Sequence, residues 1–92
     1  MSSKKSKEHM GRIAEMGCIC CEMLCQSQQG RTYVHHLREG VGMAQRQSDY
    51  IAIPLCHECH QGKGGVHGDR TYLRMLKMTE IDLLSEVLEK LL

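Results

Sequence analysis

The sequence predicts a small α+β domain, a two-stranded hairpin with flanking N- and C-terminal helices, stapled by metal. Three observations predict it. The chain has 92 residues, enough for a single domain over 1–92. It holds no Phe, no Trp and three Tyr, so the largest units of apolar burial are nearly missing. It holds six Cys and six His instead. A chain this short buries only about 60% of the surface it exposes when unfolded, and short chains commonly turn to disulfides or metal for the rest.

Each element then follows in order. Residues 1–7 are rich in Ser and Lys and read as a flexible basic tail. From Lys7 to Met16, the spacing of Met10, Ile13 and Met16 gives one apolar helix stripe, and Gly17 is suited to stop it. A knot of thiols follows from Cys18 to Cys25, and 26–32 reads as a loop. Tyr33–Leu37 predicts a first strand, and a glycine-broken polar loop leads to a second at Tyr50–Leu55. Pro54 confines that second strand to an edge or an end. Cys56–His60 opens a glycine-rich turn running from Gly62 to Gly68. Asp69 suits the N-cap of a helix over 70–78. Thr79 with Asp82 resembles a capping box. Behind it, Ile81, Leu84, Val87, Leu88 and Leu91 line one face of a last helix, expected to be core or, failing that, the seam of a weak homodimer.

Several function classes drop out. No apolar run approaches the ~18 residues of a membrane span. The charged N-terminus has no apolar stretch behind it and does not read as a secretory signal. The expected compartment is therefore a reducing cytoplasm, where cysteines read as metal ligands or catalytic thiols. Net charge is +1, but residues 1–79 hold 11 Lys and Arg against 7 Asp and Glu. The last thirteen residues are acidic, with Lys90 alone against Glu80, Asp82, Glu86 and Glu89. That balance permits nucleic-acid binding without demanding it.

The thiols carry the strongest signal. Cys18-x-x-Cys21 and Cys56-x-x-Cys59 are two knuckles, each able to aim both sulfurs at one ion. Together they make a closed tetrahedral thiolate site, expected to hold a structural Zn²⁺ whose binding energy is folding energy. A redox pair is the weaker reading, because no βαβ pattern surrounds either knuckle. Cys20 is left as a competitor for the ion, and Cys25 as a small buried hydrophobe.

Four histidines sit in telling places: His35-His36 on the first strand, His60 after the second knuckle and His67 in the glycine-rich turn. Neighbours on a strand face opposite ways, so His35 and His36 have different roles. The flexibility of the glycine-rich turn is expected to return His67 to His60. His9 and His57 read as bystanders.

These residues resemble a known family. His35-His36, then Ile53-Pro-Leu-Cys-x-x-Cys-His60, resembles the HNH (ββα-metal) nuclease superfamily. The longer string is Gly17-Cys-Ile-x-Cys21, His35-His-Leu-Arg-Glu-Gly-x-Gly-Met43, Gln45-Arg46, Ile53-Pro-Leu-Cys56, His60-Gln61 and Gly65-Val-His-Gly68. It resembles the phage recombination-enhancement (Ref-like) family of RecA-dependent nucleases, over most of the chain. The resemblance implies a DNA endonuclease of a phage or prophage, working in the cytoplasm of a bacterial host on DNA held by a RecA filament. It makes His36 the general base that activates water. It makes His35, His60 and His67 the ligands of one catalytic divalent cation, Zn²⁺, Mn²⁺ or Mg²⁺. It leaves Cys18, Cys21, Cys56 and Cys59 to the structural Zn²⁺. Arg38, Arg46 and Lys63 suit phosphate contacts. HNH enzymes commonly orient the base with an Asn, which this chain lacks altogether; Asp49, Tyr50 or a backbone carbonyl of 50–51 is left to do so. The rival reading is a non-catalytic zinc-stapled module that binds DNA or protein. Such a module needs the four Cys but gives no reason for the four His.

Overall fold

The computed structural model describes residues 3–38 and 47–92. Helix α1 (Lys4–Glu15) comes first, then α2 (Ile19–Met23), strand β1 (Thr32–His36), strand β2 (Ala52–Cys56), and helices α3 (His57–Gln61), α4 (Thr71–Leu76) and α5 (Glu80–Leu91). None of these helices is long and apolar enough to cross a membrane.

Helix α1 starts earlier than its apolar stripe suggests. The Ser3 hydroxyl accepts from the Ser6 amide at 3.1 Å, and Ser6 is buried. This cap turns the expected tail, from Lys4 onward, into the first helical turn. Gly17 does end the helix, with φ of +83°.

The two strands pair antiparallel, with His35 opposite Ile53 and His36 opposite Ala52. β2 runs two residues later than predicted, since Tyr50 and Ile51 belong to a turn closed by Ile51 N–H to Ser48 O at 3.0 Å. The Leu37 amide donates to Ile51 O, so hydrogen-bonded pairs fall at 37–51, 35–53 and 33–55. Pro54 faces Val34 in the alternate, non-bonded pair, where a missing N–H costs the ladder nothing. All five residues of β2 are buried, packed by α1, α2, α3 and α5. The core joins Ile13, Ile19, Leu37, Ile53, Leu55, Leu73, Leu83, Leu84 and Val87 to the thiols of the two knuckles.

The capping box of α5 is present as predicted: Asp82 N–H to Thr79 Oγ1 at 3.2 Å, Thr79 N–H to Asp82 Oδ2 at 2.8 Å. Its buried face is rotated, however. Leu83, Leu84 and Val87 point inward, Leu91 is partly buried, and Ile81 and Leu88 stand 52% and 38% exposed. Glu80, whose side chain is 2% exposed, heads the inward stripe. Helix α4 is shorter than the predicted 70–78. Arg70 takes its N-cap position in a left-handed conformation, while the Asp69 carboxylate accepts from the Thr71 amide at 3.0 Å.

This rotation has a measurable consequence. Leu83→Ala should cost about 2–5 kcal/mol in denaturant unfolding. Leu88→Ala, on the exposed side, should cost less than about 1 kcal/mol. A larger loss at Leu88 than at Leu83 would place the core face where the sequence pattern put it.

Candidate metal centres

The first centre grows from two helix starts. Cys18 occupies the N-cap of α2, and its Sγ accepts from the Cys21 amide at 3.3 Å. Cys56 ends β2 and N-caps α3, so the first turn of α3 carries Cys59 back beside it. Gln28 ties the intervening loop down, accepting from the Cys18 amide at 2.6 Å and donating to Thr32 Oγ1 at 2.7 Å. Cys21 Sγ then lies 3.6 Å from Cys56 Sγ and 3.7 Å from Cys59 Sγ. All four ligand sulfurs lie within 4.8 Å of one another, and all four residues are buried. A tetrahedron with metal–sulfur bonds of ~2.3 Å has edges of about 3.8 Å, so the spacing fits a tetrahedral ion. This buried cluster can bind a metal and is consistent with structural zinc.

Crowding makes these thiols poor acids on their own. Cys18 is pushed well above the ordinary range by its hydrogen bond with Cys59 and by burial. Burial, then the Cys18 charge, pushes Cys21 up to about 11. Cys59 is also raised; its bond with Cys18 pulls it down, but the Cys20 thiol and burial outweigh that. A divalent cation inverts this logic, since it stabilises the thiolates that the bare cluster resists forming.

Cys20 is buried but is not one of the four gathered sulfurs. Cys25 is exposed, with φ of +58°, which corrects the expectation of a buried hydrophobe. It lies just past the end of α2, where the chain turns left-handed and out of the core.

The second centre is built on the end of the first. His60 sits one residue beyond Cys59, and His35 approaches it from β1. His67 comes back through the glycine-rich turn, which is close-packed rather than loose. The Val66 amide donates to Cys59 O and the His67 amide to His60 O, both at 2.9 Å. A Cβ on Gly65 would lie 2.6 Å from Cys59 O, and one on Gly68 2.2 Å from Lys63 O. Glycine is needed there for close backbone approach. The ring centroids of His35, His60 and His67 are 4.6–5.1 Å apart, and their ligand nitrogens lie within 4.8 Å of one another. His35 is buried, His60 half-buried and His67 exposed, so the cluster opens to solvent on one side. Burial, with His35 and His67 beside it, lowers His60 to about 4, and burial likewise lowers His67. Both therefore favour the neutral imidazole, the form that ligates metal.

His36, next on β1, turns the other way, as strand alternation requires. Its Nε2–H donates to Asp49 Oδ1 at 2.8 Å, and the Asp49 side chain is 10% exposed. Of the orienting groups that the sequence left open, Asp49 is the one in contact.

Arg38 is exposed and close enough to depress His67, as is Arg70, which the sequence reading did not single out. Lys63 is exposed and acts electrostatically on Asp69. Arg46 lies outside the described residues. His57 is exposed beside Tyr33. His9 packs its ring 4.9 Å from Tyr50 and leaves Nε2 without a hydrogen-bond partner.

The sequence reading also missed Glu80, whose Oε1 lies 2.5 Å from His35 Nε2 and whose Oε2 accepts from Arg70 at 3.1 Å. Burial alone would raise this carboxyl, but the His35 hydrogen bond and Arg70 win and hold it low. A charged residue heading an apolar helix stripe was the available signal.

No curated protein and no solved structure gives a significant match to the chain. A family model described as recombination enhancement, RecA-dependent nuclease matches residues 3–90. The match covers all the helices and strands described above but the last residue of α5, and the chain belongs to the family of recombination-enhancement, RecA-dependent nucleases.

Proposed function

We propose that the protein is a metal-dependent DNA endonuclease of the HNH type, encoded by a phage or prophage, that hydrolyses phosphodiester bonds in DNA bound by RecA. The observation that carries this reading is the open cluster of three imidazoles at His35, His60 and His67. A structural site closes its coordination shell, whereas a catalytic one keeps a position free. A zinc-stapled binding module would account for the four thiols and leave this cluster and His36 without a purpose.

The residues divide the work as follows. Cys18, Cys21, Cys56 and Cys59 would hold a structural Zn²⁺. His35, His60 and His67 would hold one divalent cation, Zn²⁺, Mn²⁺ or Mg²⁺, which when bound offsets negative charge on the phosphate and leaving oxygen. His36 takes the proton of the attacking water. Its Nε2–H is committed to Asp49, so the lone pair on Nδ1 is the basic one. The Asp49 carboxylate fixes the ring and stabilises the imidazolium that forms. Arg38 and Arg70, near His67, bind flanking phosphate oxygens, and Arg46 and Lys63 are further candidates for phosphate contact.

Two outcomes test this reading. His36→Ala should lower plasmid cleavage by about 10²–10⁴-fold while leaving zinc content, fold and DNA affinity near those of wild type. Cleavage at the wild-type rate would transfer the base to another group, and a wild type that does not cut would favour the non-catalytic binding module.

The second concerns the partner. Unaided grip on DNA grows with the number of phosphate contacts and weakens steeply with salt. Here residues 1–79 hold only 11 cations against 7 anions, and the last helix is acidic. Cleavage at ~0.15 M salt should therefore rise when RecA filaments and ATP are added, because the filament raises the local concentration of DNA and nuclease. Equal rates with and without RecA would mean that the chain cuts unaided.

A further inference from the structure

Glu80 is the least exposed charged residue among the described ones, at 2%. A carboxylate is costly to bury unless both oxygens are engaged. Here they are, one with His35 Nε2 and the other with Arg70. The position is also fixed from its own helix. Glu80 is the first residue of α5, directly behind the Thr79 cap, in the turn where a helix favours negative charge.

The consequence falls on His35. With Nε2 turned to Glu80, only Nδ1 remains to meet His60 and His67. Of the three clustered imidazoles, Glu80 bonds His35, and it is not one of the residues whose ligand atoms share the 4.8 Å cluster. The carboxylate therefore lies behind the ring and not in the cation's place. An imidazole that gives its far N–H to a carboxylate is held in one tautomer and orientation, and its near nitrogen becomes a stronger donor.

The geometry points to Glu80 as a positioning residue for the open centre, one that sets His35 to ligate through Nδ1 and carries the fold of α5 into the affinity of that site for its cation. Through its second oxygen the same carboxylate holds Arg70 at the rim, within electrostatic reach of His67. This inference rests on the proposal that His35, His60 and His67 hold a cation.

The test uses the full chain with zinc in its thiolate site and reads metal binding, not cleavage. Mn²⁺ and Co²⁺ are titrated into wild type, Glu80→Gln and His60→Ala by calorimetry and, for Co²⁺, visible absorption. Wild type should take up one further cation, and His60→Ala none. Glu80→Gln should keep its thiolate-bound zinc and lose about 10–100-fold in affinity for the further cation. Glu80→Gln binding as tightly as wild type would overturn the positioning role alone. A wild type that takes up no further cation would overturn the cation site, and this inference with it.

Should Glu80→Gln fail to fold, the wild type still decides. With a second equivalent of Zn²⁺, ¹⁵N spectra should find His35 protonated on Nε2 and metal-bound through Nδ1. Metal on Nε2 would overturn the inference.

Discussion

The constraint around which this fold is arranged is the gathering of four sulfurs within 4.8 Å of one another. One N-caps α2, one lies within it, one ends β2 and one sits in α3, so a single cluster joins the entry to the hairpin with its exit. Such a constraint does for this chain what aromatic rings do for others. With no Phe or Trp, the apolar core is a thin layer of Ile, Leu and Val around β2. The same layer contains the knuckle cysteines, so core and staple are one object.

The second centre inherits its geometry from the first. His60 follows Cys59 in the chain, and the segment carrying His67 is bonded back to Cys59 O and His60 O. His35 comes from the strand paired with the one that Cys56 ends. Any displacement of the sulfurs would move all three imidazoles. The two clusters differ in access, one buried throughout and the other graded from buried His35 to exposed His67. That gradient leaves the thiol cluster closed to solvent and the imidazole cluster open to it on one side.

Much of this was legible in the sequence because it rests on short-range rules. Two CxxC knuckles announce a shared ion by spacing alone, and strand alternation separates His35 from His36. Gly17, Pro54 and the Thr79–Asp82 box each act through their own backbone. What stayed hidden depends on contacts between distant segments. The start of α1 turned on the burial of Ser6. The inward face of α5 includes Glu80, which meets His35, 45 residues away, a contact that apolar periodicity does not register. The glycines between 62 and 68 suggested flexibility, whereas Gly65 and Gly68 serve close packing that only the fold reveals. Asp49 was one of several groups able to orient His36, and only tertiary geometry selected it.

If a closed thiolate centre holds the fold while an open imidazole centre exchanges its cation, the two ions must leave at different strengths of chelation. Native mass spectrometry during graded chelation, with circular dichroism alongside, measures both at once. Two divalent ions per chain are expected in metal-replete buffer. One should leave under mild chelation with the helical signal unchanged, and the other only under strong chelation, together with cooperative loss of structure. A chain that stays folded after losing all its metal would contradict the account.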